Sequence, residues 1–339
     1  MGRRNKKYVK NLHQQAYDKL VSMQAFGESK QEAVANGTAD DKIFSFNTWK
    51  TYWKHTKYFT RYVEKMHPEC TTLKHARKYV GEWLQSRVDQ GLSAWTVQTE
   101  AKALGKLFGI RPDDKDYFQP PVRKRAEIKR SRQDCARDQH FSEANNDELI
   151  KFCRGTGLRR SELVALKGKD LFSAEQIQAW IADLEAKADP AKEEQEILHC
   201  LYDSQRFAET EYFIFVRQGK GGRKRFSPVL ERYQKRIVER MQETGEEEAA
   251  WLYVNSNADI HAYRADYAGA IYKAHARAIE DIPFDKINKG TGRKYQSEVY
   301  ACRRDEAGKK LDKAAMLLCS KALGHNRLNI VADHYIRNL

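Results

Sequence analysis

Apolar residues recur at helical spacing through the first third of the chain. Three stretches between residues 42 and 110 carry them every three or four positions: SFNTWKTYWKHTKYFTRYVEKMH, TTLKHARKYVGEWLQSRVDQG and SAWTVQTEAKALGKLFG. Asn47 and Ser93 stand where helix N-caps are expected, and Gly91 stands where the second helix should end. The pattern predicts a small helical domain over residues 42–110.

The two segments that flank this domain lack the periodicity. Residues 1–41 are polar, with basic residues first and small or acidic ones later, and we interpret them as an N-terminal extension outside the folded domains. Residues 111–139 combine prolines with a dense basic group, which is typical of an interdomain linker. The basic residues of this linker are Arg123, Lys124, Arg125, Lys129, Arg130 and Arg132.

From residue 140 to the end, helical patterns alternate with short β-rich stretches. YFIFVRQGKGGRKRFSPV has β-branched and aromatic residues on both sides of a glycine-containing turn, which predicts a β-hairpin. Residues 173–207 are acidic and helical in pattern, and a Gly/Lys-rich piece near 279–311 interrupts the later helices. We therefore expect a mainly α fold with a small β-sheet, of the α+β class.

The charge of the chain narrows the choice of partner. The sequence has 61 Lys and Arg against 47 Asp and Glu, and its formal net charge of +14 favours nucleic acid over a membrane surface. No run of about 18 apolar residues occurs, so no membrane span is expected. Six scattered cysteines without a C-x-x-C pair indicate reduced thiols in a cytoplasmic protein, and we expect no metal site.

Two basic surfaces are candidates for contact with DNA phosphates. The first predicted helix carries cations beside an aromatic stripe that we assign to the core: Lys50, Lys54, Lys57 and Arg61. The basic linker is either solvated or a strap that crosses a phosphate backbone, and a basic domain on each side favours the strap. We expect a C-shaped clamp with one domain on each face of a DNA duplex.

Cleavage of a phosphodiester without a metal needs three kinds of group. Forked cations must hold the non-bridging oxygens, a nucleophile must attack, and an acid must protonate the leaving oxygen. TGLRRSEL supplies Arg159 in a glycine turn that opens a helix, with Glu162 placed to brace it. Arg160 is the adjacent alternative.

Four further motifs complete a candidate set. GKGG places Lys220 at a hairpin tip, and it is not a P-loop because G-x-x-x-x-G-K-[ST] is absent. HAYRADYA gives His261 and Arg264 on one helical face, and LGH gives His325, ten residues before Tyr335. Each motif alone is weak, since a lysine at a hairpin tip is usually solvated and a helical tyrosine is usually part of the core.

Taken together and in chain order, the motifs resemble those of the tyrosine recombinase (phage integrase) family: Arg159, Lys220, His261-x-x-Arg264, Leu-Gly-His325 and Tyr335. The resemblance covers residues 140–339 closely. Over residues 42–109 it is only the architectural likeness of a helical core-binding domain. The order of five motifs changes our interpretation of Tyr335 from a core residue to a nucleophile.

The resemblance implies a site-specific recombinase of a phage or other mobile element. Tyr335 would attack the scissile phosphate and form a 3′-phosphotyrosyl link, Arg159 and Arg264 would clamp the phosphate, and Lys220 would protonate the leaving 5′ oxygen. The two histidines of the motifs would position or assist. No metal, ATP or other cofactor would be needed. A tetramer would exchange strands between two duplex sites through a Holliday junction in the bacterial cytoplasm, with accessory proteins as further partners.

The chain departs from the family pattern in the interval before LGH. His325 lies 61 residues after Arg264, which is longer than the family's usual interval. Either 279–311 is an insertion, or YACRRDEA is the true motif, with Arg303 as the second arginine and Tyr300 in place of the histidine. We favour HAYRADYA, because it supplies both the histidine and the arginine and follows an apparent strand, WLYVN.

The acidic stretch at 173–207 is also longer than the usual connection, and we treat it as a second insertion that faces away from DNA.

Two other functions fit part of the sequence: a type IB topoisomerase, and a DNA-binding regulator without catalytic activity. The small helical domain and the basic linker favour a recombinase over the topoisomerase. The full set of candidate residues argues against the regulator.

Overall fold

The computed structural model describes residues 10–124, 127, 141–282, 297–303, 306–325 and 327–336. The chain forms two compact units that divide between Arg123 and Lys124. The helices of the first unit are α1 (Leu12–Ser22), α2 (Lys30–Ala35), α3 (Phe46–Met66), α4 (Leu73–Ala76), α5 (Val80–Asp89) and α6 (Ala94–Phe108). Short 3-10 turns occur at Arg77–Tyr79, Ala144–Asn146, Gly168–Asp170 and Ile279–Asp281.

The second unit alternates helices with short strands. Its elements are α7 (Asp147–Thr156), α8 (Arg160–Ala165), β1 (Leu171–Ser173), α9 (Ala174–Glu185), α10 (Lys192–Ser204), β2 (Tyr212–Val216), β3 (Arg225–Pro228), α11 (Glu231–Glu243), α12 (Ile260–His275), β4 (Val299–Ala301), β5 (Lys310–Asp312), α13 (Lys313–Leu323) and α14 (Leu328–His334). In the described part of the chain, helices dominate and the strands form two small antiparallel sheets. The predicted mainly α class with a small β component is confirmed.

The first unit is organised around α3. Phe59 and Val63 of this helix are fully buried, and α3 packs on α1, α5 and α6. The helix begins after Ser45, whose hydroxyl accepts from the Thr48 N–H at 3.2 Å, rather than at the predicted cap Asn47. The predicted cap Ser93 does begin α6, where its hydroxyl accepts from a backbone N–H of the first turn.

The segment before residue 42 differs from the expected extension. Helix α1 places Leu12, Ala16 and Leu20 in the same apolar core as α3, and all three are buried. The indole N–H of Trp49 donates to the Leu20 carbonyl at 3.1 Å. These residues recur every four positions, so α1 presents one apolar face to the unit. It is therefore part of the first unit's core, while residues 1–9 lie outside the described residues.

A three-stranded sheet in the second unit has the order β1-β2-β3, with both pairs antiparallel. Phe215 lies opposite Phe226, and the two rings stack 4.6 Å apart. The β2–β3 connection contains GKGG, where Gly221 and Gly222 both adopt φ of 77°. A residue other than glycine rarely takes this conformation, so the sequence closes the predicted hairpin at this point.

The two proposed insertions contain regular structure. Residues 173–207 form α9 and α10, and α10 packs on β3, where the Cys200 thiol donates to the Lys224 carbonyl. In 279–311, the described residues include β4, which pairs with β5 in the second sheet. WLYVN is not a strand. Its neighbourhood has a single bridge, between Lys167 and Ala249, and the carbonyls of Val254 and Asn255 accept from the Arg160 side chain.

Helix α12 runs between the two apolar cores of the second unit. Tyr267 and Ile271 belong to one core with α13, and Ile260 and Tyr263 belong to the other with α7. A helix with apolar residues on both sides is buried on most of its surface. Any polar side chain on its inner face is therefore enclosed, and Arg264 lies there, fully buried.

Candidate active site

The turn between α7 and α8 aims Arg159. Gly157 ends α7 with φ of 60°, and a Cβ at this position would lie 2.2 Å from the Tyr267 ring. Arg159 then precedes α8, and its backbone N–H donates to a Glu162 oxygen at 2.8 Å. Its guanidinium donates to the other Glu162 oxygen at 2.6 Å and to the Leu323 carbonyl at 3.3 Å. Glu162 thus fixes both the backbone and the side chain of Arg159.

The neighbouring Arg160 has a different set of contacts. Its guanidinium donates to the carbonyls of Val254, Asn255 and Ala258 at 3.1, 2.6 and 2.8 Å. This arginine holds the segment that leads into α12. The sequence left Arg159 and Arg160 as alternatives, and the structure brings only Arg159 to Glu162 and α13.

Arg264 extends from α12 into the centre of the second unit. Its Nε donates to the Tyr335 hydroxyl at 3.4 Å, and its two terminal nitrogens donate to the carbonyls of Gly157 and Leu323. Burial, and after it the charge of Arg225, lower the pKa of Arg264 to about 10. The guanidinium therefore remains cationic at neutral pH.

Tyr335 follows the last turn of α14 and is 7% exposed. Its backbone N–H donates to the Val331 carbonyl at 3.0 Å, so the helix sets its position. The Arg264 guanidinium carbon lies 5.6 Å from the centre of the ring. In the described part of the chain, the Tyr335 hydroxyl has one hydrogen-bond partner, Arg264. This arginine is therefore the group that orients the phenol oxygen.

His325 packs beside Tyr335, with 5.2 Å between the ring centres. Ser320 holds its backbone through two hydrogen bonds. The His325 N–H donates to the Ser320 carbonyl, and the Ser320 hydroxyl donates to the His325 carbonyl, each at 2.8 Å. Its Nε2 is buried and has no hydrogen-bond partner among the described residues. Burial, and then the positive charges of the arginines with Arg264 foremost, lower the pKa of His325 to about 3. The imidazole is therefore neutral at pH 7.

A third arginine, which the sequence analysis did not single out, completes the cluster. Arg225 of β3 donates to both Glu162 oxygens at 3.0 and 2.7 Å, and its Nε donates to the Ala322 carbonyl at 2.9 Å. Burial of the Glu162 carboxyl favours its protonated form. The hydrogen bonds and charge of Arg225, with the charge of Arg264, outweigh this and lower the pKa of Glu162 to about 2.

Lys220 and His261 are both exposed. His261 is in the first turn of α12, three residues before Arg264. Desolvation by neighbouring atoms, and then the charge of Arg264, lower its pKa, and the charges of Arg159 and Lys220 act in the same direction. The hairpin lysine is thus within electrostatic range of the site. Among the described residues it makes no side-chain hydrogen bond to the cluster.

The alternative motif YACRRDEA lies in the second sheet. Tyr300 is in β4 opposite Leu311, and Arg303 follows this strand with an exposed side chain. The groups that surround Tyr335 come from HAYRADYA, TGLRRSEL and LGH instead. The long interval before LGH is occupied in part by the β4–β5 hairpin.

Four of the six candidate DNA-contact residues that the structure describes are exposed. On α3, Lys50, Lys54 and Arg61 are exposed, and the half-buried Lys57 has its ammonium 5.7 Å from the Trp53 ring centre. The Arg123 guanidinium lies 5.7 Å from the ring centre of Trp95, and Lys124 is exposed. The remaining linker cations lie outside the described residues: Arg125, Lys129, Arg130 and Arg132.

Two further expectations concern metals and membranes. Within the described ranges, no group of three or more His, Cys, Asp or Glu side chains comes together in a way that could hold a metal ion. In the same residues, no helix combines the length and the apolar character needed to cross a bilayer. The described cysteines are free thiols: Cys70, Cys153, Cys200, Cys302 and Cys319.

Comparison with known proteins finds matches among solved structures. The chain is similar to the XerH site-specific recombinase bound to difH substrate, with a TM-score of 0.42 and 15% identity over 95% of this chain and 90% of that chain. It is also similar to XerA recombinase, with a TM-score of 0.28 and 13% identity over 96% of this chain and 94% of that one. No protein-family model matches the sequence, and neither does any curated protein.

Proposed function

We propose that this protein is a tyrosine site-specific recombinase that cleaves and rejoins duplex DNA. The observation that carries the proposal is the hydrogen bond from the buried Arg264 guanidinium to the Tyr335 hydroxyl. A phenol beside a fixed cation is stabilised as a phenolate when its proton leaves, which is what a nucleophile requires. Arg159 and a neutral His325 lie at the same centre.

The cleavage step follows from these positions. The Tyr335 oxygen attacks the scissile phosphorus and the bond to the 5′ oxygen breaks, which leaves a 3′-phosphotyrosyl link. Arg159 and Arg264 stabilise the charge on the non-bridging oxygens as it grows. Both now donate to the Leu323 carbonyl, so a phosphate oxygen that enters between them would compete with this carbonyl.

The remaining groups donate or accept protons. Lys220 is exposed on a hairpin tip, from which its charge helps to lower the pKa of His261, and in this proposal it gives the departing 5′ oxygen its proton. His325 has an unused ring nitrogen that can accept a hydrogen bond or a proton. Because the phosphotyrosyl ester conserves the energy of the broken bond, religation by another 5′-hydroxyl needs no ATP.

At the level of the whole assembly, the proposal extends to a tetramer on two DNA sites, strand exchange through a Holliday junction, and a mobile genetic element as the source of those sites. The net charge of +14 and the cations of α3 support DNA as the partner. Cations that contact phosphates position the duplex and carry no sequence information themselves.

The test begins with the DNA on either side of the gene, searched for repeats that mark the ends of an element. A duplex with that repeat, nicked close to the cleavage position, should trap the protein, because the short released strand diffuses away. We expect a covalent adduct on a denaturing gel and a free 5′-hydroxyl on the released strand. Relaxation of any plasmid without a defined site would indicate a type IB topoisomerase, and site binding with no adduct would indicate a regulator.

A further inference from the structure

Arg225 lies at the point where four segments of the second unit meet. It belongs to β3, and it contacts Glu162 of α8 and the Ala322 carbonyl of α13. The fourth segment is the GKGG turn, because a Cβ at Gly219 would lie 3.4 Å from the Arg225 guanidinium. One side chain thus joins the helix that follows Arg159, the end of α13 and the base of the hairpin.

All three guanidinium nitrogens of Arg225 donate to groups inside the protein. Both terminal nitrogens go to the Glu162 carboxylate and the Nε goes to Ala322, while the residue is 6% exposed. Arg159 differs, since its side chain is 15% exposed, against 8% for the side chain of Arg225, and only one of its guanidinium bonds goes to Glu162. The protein thus holds every nitrogen of this nearly enclosed guanidinium, and the same Glu162 carboxylate also holds Arg159.

The contacts of Glu162 show how one arginine can act through another. A carboxylate has two oxygens with about four acceptor positions. One oxygen accepts from Arg159 NH1 and Arg225 NH1, and the other accepts from the Arg159 backbone and Arg225 NH2. The planar fork of Arg225 thus fixes the rotation of the carboxylate, and the carboxylate fixes Arg159.

We propose that Arg225 is a positioning residue of the recombinase site, which sets the orientation of Arg159 through Glu162 and anchors the hairpin that carries Lys220. This rests on the proposed function. The glycines on both sides of Arg225 fit the role, because a Cβ at Gly324 would lie 2.9 Å from its Cδ. The arginine and the two glycines form one packed unit beneath the hairpin.

The first experiment compares Arg225→Lys with the wild type on the nicked duplex. Lysine keeps the positive charge next to Glu162 but loses the fork, so the carboxylate can rotate. We expect the affinity for site DNA to stay within about twofold, while single-turnover formation of the Tyr335 adduct at saturating DNA slows by about ten- to a hundredfold. The matched control is Arg217→Lys. Arg217 belongs to the same hairpin, but its Nε donates to Asp170 at 2.5 Å, outside the site.

A double-mutant cycle separates positioning from a general loss of folded protein. If Arg225 acts through Arg159, the double variant Arg159→Lys/Arg225→Lys should be no slower than Arg159→Lys alone, within about threefold. A purely structural defect lowers the amount of competent enzyme in both backgrounds, so its effect would multiply. Arg225→Gln should be slower than Arg225→Lys, and if it does not fold, the lysine variant still decides the question.

The outcomes distinguish this inference from the proposed function. Absence of an adduct with the wild type at a verified site would reject the recombinase assignment itself. A wild-type adduct together with an unchanged rate in Arg225→Lys would reject the role of Arg225 alone. Multiplicative losses in the cycle, or an equal loss in Arg217→Lys, would do the same.

Discussion

The Nε of Arg264 lies 3.4 Å from the hydroxyl oxygen of Tyr335, although 71 residues separate the two in the chain. Arg264 is fixed by its place on α12 between two apolar cores, and Tyr335 is fixed by the end of α14. Both side chains are buried. The contact between them is therefore a property of the folded core.

Replacement of Tyr335 by Phe tests the nucleophile. The change removes one oxygen and keeps the ring that packs on His325. We expect site DNA binding to persist and the covalent species to disappear. Loss of the bond to Arg264 should lower the free energy of unfolding by about 1 kcal/mol, measured by urea denaturation. An adduct that survives in Tyr335→Phe would place the nucleophile elsewhere.

The two candidate second arginines can be compared directly. Arg264→Ala removes a cation from the centre of the site, and the expected cost to single-turnover cleavage is about 3–4 kcal/mol, or a hundred- to a thousandfold in rate. Arg303→Ala removes an exposed side chain, so the rate should change by less than about tenfold. If the alanine variant does not fold, Arg264→Lys replaces it in the comparison, since lysine retains a buried cation. The reverse order of effects would assign the role to YACRRDEA.

The protonation of His325 is open to direct measurement. Because burial and neighbouring guanidinium groups lower its pKa to about 3, its imidazole resonances should not titrate between pH 8 and pH 5 in DNA-free protein. His325→Gln assigns the resonances. The unfolded chain binds this proton near pH 6.5, so His325 contributes stability above that pH, which is lost progressively as pH falls toward 3. A titration midpoint near 6.5 in the folded protein would contradict the site geometry.

Gly324→Ala tests the packing between the LGH turn and Arg225. Gly324 has φ of 67°, and an added Cβ would lie 2.9 Å from the Arg225 Cδ. Gly109→Ala is the control, because Gly109 has φ of 65° after α6 and open space around it. We expect the control to lose about 1 kcal/mol in unfolding free energy. Gly324→Ala should lose roughly 2–3 kcal/mol and slow cleavage as well. Equal losses of unfolding free energy in the two variants would show that Arg225 can move away from the added Cβ without destabilising the fold.

The cations of α3 predict a salt effect. Lys50, Lys54 and Arg61 are exposed along this helix. If each contacts a phosphate, replacement by Gln should reduce the slope of log affinity against log salt by about 0.9 per residue. The reduction should be the same for specific and unrelated DNA, because phosphate contacts do not read sequence. An unchanged slope in the triple variant would exclude this face from DNA contact.

The sequence was sufficient to predict the helical character, the β2–β3 hairpin and most of the residues that gather around Tyr335. Glycines explain much of this success. Gly157, Gly221 and Gly324 adopt positive φ, and each marks a turn that presents a candidate side chain. Local turn chemistry is readable from the chain because it depends on neighbours within a few positions.

Arg225 could not be found in the same way. It stands in the basic run RKR, and only the strand pairing decides which of these cations faces inward. Its partner Glu162 is 63 residues away, and no local pattern connects the two. By contrast, α1 left a readable signal in Leu12, Ala16 and Leu20, which the polar residues around them obscured. The predicted strand WLYVN was wrong, and the carbonyls of Val254 and Asn255 accept from the Arg160 side chain there.

The carbonyls at the end of α13 have a consequence for folding. A helix leaves its last carbonyls without intrahelical donors and concentrates about half a negative charge there. Here the Ala322 carbonyl accepts from Arg225, and the Leu323 carbonyl accepts from Arg159 and Arg264. The three guanidinium groups thus bind the last two carbonyls of this helix and place positive charge at the negative end of its macrodipole. Fraying of the last turn would disperse the cations, so this helix end and the cation cluster form cooperatively.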